Sequence, residues 1–335
     1  MSASLGRAWL HDFDYKVEQA GKAGFKGIEI FYEDLEHVAR KTANNNENTL
    51  TPEQLLAAAS HCYDACHRNG LTIIGLQPFL FYEGLKDRVQ HDRLLEKMKL
   101  WLQIAKRMRT NTIQIPANFL PADQLTGDRD VIAADLRELA DLGAAETPVV
   151  RFAYENLCWS THIDTWEALW DVVQRVDRPN FGVCLDTFNI AGRVWADPTS
   201  PTGTTTNADA DLKASLDRLV REVDVRKVFY IQVVDAERMR TPLVEGHPFH
   251  VEGNPPRMSW SRNARTFMYE NDRGAYLPAE DVARAIIFGL GYKGYVSMEL
   301  FSRTMSEPGE QVPVEHAQRG MTAWKKFVER LQLEQ

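Results

Sequence analysis

Four short apolar segments of this chain each deliver one oxygen-bearing side chain near their C-terminal edge. VVRFAYE ends on Glu155, FGVCLD on Asp186, VFYIQ on Gln232, and YVSMEL carries Glu299. Three carboxylates and an amide, with no thiol or imidazole among them, make a hard donor set. Such a set suits Mg²⁺, Mn²⁺ or Co²⁺ in roughly octahedral array, with positions left for substrate or water. Taken singly, a Glu at a strand end is an ordinary cap or ion-pair partner. Four polar ends on otherwise apolar segments need a common purpose, and a divalent cation supplies one. The charge left around such an ion would be near −1, which a polarising role tolerates.

Positioning four ends on one face requires parallel strands. KGIEIF (26–31), LTIIGLQ (71–77), TIQIP (112–116), VVRFAYE (149–155), FGVCLD (181–186), KVFYIQVVD (227–235) and GYVSMEL (294–300) are rich in β-branched and aromatic residues and apolar on both faces. Amphipathic stretches alternate with them at 12–23, 52–69, 91–108, 128–142, 164–176, 208–222, 279–290 and 313–333, and Thr51 before Pro52 reads as an N-cap. Repeated β-then-α units with doubly buried strands predict a (β/α)8 TIM barrel, one domain over 1–335. An eighth strand is due at the start, where only MSASL is available, so the first strand is expected to be short or incomplete. An open doubly wound sheet is the alternative, but it would need a glycine-rich phosphate turn after an early strand, and none is present. The segments 191–207 and 236–278, after the sixth and seventh barrel strands, read as long loops on the ligand face, the second a lid or binding loop. That second loop carries Arg257, Arg262, Arg265 and Arg273, which suit a substrate with a carboxylate.

Composition narrows the partners. With 47 acidic against 39 basic residues the formal charge is −8, which argues against nucleic acid or a membrane surface. The expected partner is a small molecule, with self-association into a homo-oligomer left open. Cys62, Cys66, Cys158 and Cys184 are too few and scattered for a disulfide framework, and no second pair completes a metal site with Cys62 and Cys66. No apolar run approaches a membrane span, and MSASLGRAWLHDFDY lacks the pattern of a signal peptide, so a cytoplasmic setting is expected.

Further polar residues fall on the same face: Glu29, Glu33, Gln77, Gln114, Asn118, Asn156 and Asn189 are candidates for direct or supporting contact with the ion. His11, His162, His247 and His250 lie in loops or helix starts and read as solvated. The ordered run SLGRAW, GFKGIEIFYEDLE, LQPF, TIQIPANFLPA, ENLCWSTHIDTWE, RPNFGVCLDTFNIAGRVWADP, FYIQVVDAE, PPRMSWSRNAR, DRGAYLP and YVSMELFSRTMS covers nearly the whole chain. It resembles the fungal 3-dehydroshikimate dehydratases of quinate catabolism, within the xylose-isomerase-like barrels. The resemblance implies a hydro-lyase that converts 3-dehydroshikimate to protocatechuate. It assigns a divalent metal to Glu155, Asp186, Gln232 and Glu299, and it places Ser261 and Arg265 beside the substrate. Asn189 departs from the pattern: bacterial relatives and the related epimerases often carry His there, so Asn189 cannot serve as an acid or base.

On that reading the metal polarises a ketone, and Arg265, with Arg262, is the candidate for the substrate carboxylate. The proton-abstracting base is unassigned among a carboxylate near the metal, a metal-bound hydroxide and a lid histidine. Competing readings are a ketose isomerase or epimerase on the same barrel, an abasic-site endonuclease and a catalytically silent scaffold. The first leaves the arginine-rich loop unexplained, and the second wants a histidine-rich zinc cluster and a basic face.

Overall fold

The computed structural model describes residues 1–43 and 49–333. Seven parallel strands follow one another around the barrel in chain order. These are β1 (Gly27–Phe31), β2 (Thr72–Gln77), β3 (Thr112–Pro116), β4 (Arg151–Glu155), β5 (Phe181–Asp186), β6 (Val228–Gln232) and, after the two short strands β7 (Asp235–Ala236) and β8 (Arg265–Thr266), the two-residue β9 (Val296–Ser297). Helices α1 (Phe13–Ala23), α2 (Tyr32–Thr42), α3 (Pro52–Arg68), α4 (Arg88–Arg107), α5 (Arg129–Ala144) and α6 (Trp166–Val176) alternate with the first strands. They are followed by α7 (Thr187–Val194), α8 (Ala208–Glu222), α9 (Pro256–Ala264), α10 (Ala279–Arg284) and α11 (Gln311–Leu331). No helix among the described residues is long and apolar enough to cross a membrane.

The helix starts follow from side-chain chemistry. Asp12, Thr51, Asp87, Asp128 and Thr165 each accept from backbone amides of the first turn they precede. The Thr51 cap is the one expected from sequence, and Gln54 closes it into a capping box. Along the strands the period of two sorts the side chains. Phe152, Tyr154, Leu185 and Ile231 join the helix-facing core, whereas Ala153, Cys184 and Tyr230 form a separate cluster inside the barrel. Glu155, Asp186 and Gln232 lie two residues beyond these three, so they share the inward face one layer higher. Register levels them: Asp186 pairs with Gln232, and Gln232 with Ser297. All four cysteines are buried and free.

No eighth strand forms among the described residues. β1 and β9 end the sheet order, and Ser2–Leu5, a 3-10 turn, fills the upper part of the seam between them. Two serine hydroxyls take over what a strand's carbonyls would do. Ser2 Oγ accepts from Phe31 N at 2.9 Å, and Ser4 Oγ accepts from Leu300 N at 2.9 Å. His316 of α11 braces the turn, its Nδ1 2.7 Å from Ser4 O and its Nε2 3.0 Å from the Thr304 hydroxyl. Because a carbonyl only accepts, Nδ1 carries a proton. Burial holds His316 down at about 4, against an ordinary value near 6.5, with Ser4 O pulling weakly the other way. The unfolded chain therefore binds more protons between those values. Its stabilising effect is complete above pH 6.5 and is lost as pH falls toward 4. Relative to His316→Gln, the wild type is expected to lose about 3 kcal/mol across that window. Urea unfolding at pH 7 and pH 4.5 checks this, and parallel pH profiles for the two proteins would refute it.

Several connections differ from the sequence reading. α2 and α7 fall outside the amphipathic stretches expected from sequence, and α10 gives way after Arg284 to a π-helical turn, Ala285–Gly289. The 236–278 excursion is structured. It begins with β7 antiparallel to β8 and contains α9. Buried Asp235 closes it: Oδ1 accepts from Ala236 N (2.7 Å), Tyr276 N (3.0 Å) and Leu277 N (2.7 Å). The adjoining loop after β2 is held by a polar knot between α4 and α5. Gly84 N and Arg88 donate to Asp135, and His91 Nε2 lies 3.3 Å from both Asp135 and Glu138.

Candidate metal centre

Glu155, Asp186 and Glu299 come from β4, β5 and the segment just past β9, and each offers an oxygen within 4.8 Å of the others. None is more than 3 % exposed. Glu299 lies two residues beyond β9, so its segment reaches the site as irregular backbone rather than as a strand end. Gln232 completes the ring. Its Nε2 donates to Glu299 Oε1 (2.9 Å) and Glu29 Oε2 (3.1 Å), while its carbonyl oxygen Oε1 is buried with no hydrogen-bond partner. A buried, orphaned acceptor costs free energy unless something electropositive meets it. With three carboxylates beside it, this oxygen fits the fourth protein ligand of a hard cation.

The supporting shell is as specific as the ligands. Gln114 Nε2 donates to Glu155 Oε2. Asn189 Nδ2 donates to both Glu155 Oε1 and Asp186 Oδ2, each at 2.8 Å. Asp186 starts α7, its Oδ1 accepting from Phe188 N at 2.8 Å, and that helix brings Asn189 round to the two carboxylates. Glu29 accepts from Gln77 (2.5 Å), Gln232 and the Ser297 hydroxyl. Gln77 also reaches Glu299 Oε1 at 3.3 Å. Such contacts fix ligand orientation.

Arg265 occupies the centre. β8 pairs with β7 just beyond Gln232, which sets the Arg265 backbone over the mouth, and its amide donates to Phe301 O at 3.0 Å. Nη1 donates to Asp186 Oδ2 (2.8 Å) and Glu299 Oε2 (2.9 Å), and Nε to Ser261 Oγ (3.0 Å), one helical turn back on α9. The guanidinium carbon lies 4.2 Å from the Phe188 ring centroid and 5.4 Å from that of Phe301. Nη2 donates to nothing among the described residues. From sequence Arg265 is the candidate for the substrate carboxylate; here two of its three nitrogens are committed to the cluster and Ser261.

One guanidinium does not balance this much negative charge. Burial first, then the charges of Glu299 and Asp186, push Glu155 well above the usual carboxylate range. Asp186 is raised by burial, with Arg265 and the Phe188 amide opposing, and Glu299 is pushed up to about 7 by burial against the pull of Arg265. A metal must displace any such proton. Below pH 7, where Glu299 holds its proton, Mn²⁺ affinity is expected to fall about tenfold per pH unit for each proton displaced. Calorimetry near pH 6 in buffers of different ionisation enthalpy should register proton release. An affinity that stays flat from pH 8 to 5.5 would contradict the carboxylate site.

Other sequence candidates fall elsewhere. Asn118 bonds buried Glu83, its amide 2.6 Å from Oε1, in a group with Tyr154 that sits behind β4. Asn156 reaches only Asp164 O, at 3.5 Å. His247 turns to its own loop, accepting from Phe249 N at 3.0 Å. Glu33, half-buried at the start of α2, stands at the rim. Ser297 and the two phenylalanines around Arg265 are site residues beyond the sequence candidates. Their positions were the available signal: a polar residue inside a strand, and aromatics two residues past Asp186 and Glu299.

Known proteins resemble this chain along most of its length. A 3-dehydroshikimate dehydratase of Neurospora crassa is 53 % identical over 335 residues, which is 99 % of this chain and 93 % of that protein. A 3-dehydroshikimate dehydratase of Pseudomonas aeruginosa is 28 % identical over 289 residues, spanning 86 % of this chain and 36 % of that protein. The solved structure of the IOLI protein with a bound zinc atom matches with a TM-score of 0.67, covering 98 % of this chain and 96 % of that one at 16 % identity, a likeness of fold. The family model for the xylose isomerase-like TIM barrel matches residues 17–327. With seven consecutive parallel strands directing their C-terminal ends at one acidic centre, the chain belongs to the xylose isomerase-like TIM barrel family.

Proposed function

We propose that this chain is a 3-dehydroshikimate dehydratase, a hydro-lyase that removes water from 3-dehydroshikimate to give protocatechuate. The observation that carries the reading is the Glu155–Asp186–Gln232–Glu299 ring, with its orphaned amide oxygen, in a chain so like the Neurospora crassa enzyme along nearly its whole length. Residues 1–335 would act as one catalytic unit in the cytoplasm, in the breakdown of quinate-type ring acids.

The reaction needs a proton to leave the carbon beside the ketone and a hydroxyl to leave the next carbon. The dienone so formed then tautomerises to the catechol ring. Aromatisation makes the sequence downhill, so the first deprotonation is the barrier to lower. A divalent ion held by Glu155, Asp186, Gln232 and Glu299 supplies Lewis acidity to the ketone oxygen. The protein's own part is electrostatic and geometric. Ser261 fixes Arg265 through Nε, which leaves Nη2 to meet charge developing on the substrate oxygen. Gln114 and Asn189 keep Glu155 aimed at the ion, and Asn189 ties it to Asp186. The depth of the carboxylates keeps bulk water from competing for the ion.

The test incubates metal-stripped protein with 3-dehydroshikimate and follows catechol absorbance as Mg²⁺, Mn²⁺ or Co²⁺ is restored. Product formation that depends on the added ion is the expected result. A folded sample that makes none with any of the three would overturn the assignment.

A further inference from the structure

We propose that Arg7 and Arg262 form the carboxylate-binding subsite at the mouth of this centre, leaving Arg265 to the reacting end of the ring. The proposal rests on the dehydratase reading and concerns which residues hold its substrate.

Three hydrogen-bonded segments bring the two arginines to the same rim. Arg7 follows the turn that fills the barrel seam, and its amide donates to Met305 O at 3.0 Å. The 301–305 stretch continues directly from Glu299, and its Phe301 carbonyl accepts from Arg265 N at 3.0 Å. Ala264 and Ser302 form a further bridge between the same segments. Arg262 lies on α9 between Ser261, which holds Arg265, and Arg265 itself. Half-buried Phe31 and Phe301, in edge contact with centroids 6.0 Å apart, stand on the same rim, and Phe301 also faces Arg265. They are suited to pack against a six-membered ring.

Charge sets these two apart from four other arginines of the face. Arg257 donates to Gly192 O and Ala196 O, Arg303 to Glu237, Arg273 to Glu315 and Arg319 to Glu270. Neither Arg7 nor Arg262 has an ion-pair partner among the described residues. Among the described residues Arg7 Nε is buried without an acceptor, and its guanidinium carbon lies 5.7 Å from the Trp9 ring centroid. Arg262 is depressed below the usual guanidinium value by desolvation of its head group and then by the charge of Arg7, although the residue as a whole is exposed. Glu33 is near enough to feel Arg7 but too far to pair with it. The fold thus keeps two cations together with donors unspent, an arrangement that a bridging carboxylate satisfies at both ends.

The test uses Mn²⁺-loaded protein and two ligands that differ only in the carboxylate, protocatechuate and catechol. Calorimetry should show the wild type preferring protocatechuate by about 10–100-fold, the worth of hydrogen bonds to a charged group. Arg262→Met and Arg7→Met should each erase most of that preference while leaving catechol affinity unchanged. Arg262→Lys should restore part of it. In turnover of 3-dehydroshikimate both Met variants should raise KM far more than they lower kcat. Variants that keep the wild-type preference, in protein that turns over 3-dehydroshikimate, overturn the subsite alone. A wild type that binds neither ligand and makes no product overturns the dehydratase reading and the subsite with it.

Discussion

Glu155→Gln is expected to lose metal-dependent turnover by about 10²–10³-fold or more, the scale seen when one group stabilising developing charge is removed. The substitution changes little in shape and much in charge. Glu155 receives donors on both oxygens, from Gln114 on one side and Asn189 on the other. A glutamine there must turn its NH₂ toward one of these donors, so one neighbour loses its acceptor and the supporting shell loosens along with the ligand. Mn²⁺ affinity should fall correspondingly in a direct titration. The metal-free protein should behave differently. Burial and the like charges of Glu299 and Asp186 push the Glu155 carboxyl well above the usual range, so the metal-free centre already favours its neutral form and a neutral glutamine costs it little. The thermal midpoint of the metal-free variant should equal or exceed that of the metal-free wild type. A variant that kept full turnover and an unchanged demand for metal would refute Glu155 as a ligand.

The parts of this site legible in the sequence are those that local pattern encodes. Strand interiors here are apolar on both faces, so Glu155, Asp186 and Gln232 stood out at their ends, and period-two alternation put them on one face. Glu299 stood out for the same reason even though its segment is regular over only two residues. What was not legible depends on partners distant in sequence. Arg265 meets Asp186 across 79 positions, and no local spacing reveals that its guanidinium bonds two carboxylates of the cluster. α7 is not legible in the sequence because Asp186 is both a candidate ligand and the cap that starts it, so strand and helix abut with no turn signal between them. The seam was expected to hold a strand because barrels close with eight. Ser2 and Ser4 satisfy the edge amides with side-chain oxygens instead, a substitution that backbone periodicity does not register.

Arg265→Met separates the two cations that share this centre. In the metal-free protein, Arg265 is the sole guanidinium among the described residues bonded to Asp186 Oδ2 and Glu299 Oε2, and all three side chains are at most 4 % exposed. Removing one partner of a buried ionic group leaves the other charges uncompensated, which costs about 3–5 kcal/mol. Part of that is recovered here by proton uptake on Glu299, already raised to about 7. A divalent ion would draw on the same two oxygens as Nη1, so protein and metal compete for them. Without Arg265 the ion meets no competitor and restores the missing positive charge. Metal addition should therefore raise the thermal midpoint of Arg265→Met by more than it raises that of the wild type, and Mn²⁺ should bind the variant at least as tightly. Turnover should still fall by about 10²-fold, because Nη2 no longer faces the substrate oxygen. Tight metal binding with poor catalysis would identify Arg265 as a group that acts on the substrate once the ion has taken its place between the carboxylates. If the variant were destabilised equally with and without metal, and bound Mn²⁺ more weakly, Arg265 would have to be part of the metal's own support, and the competition inferred from the shared oxygens would be wrong.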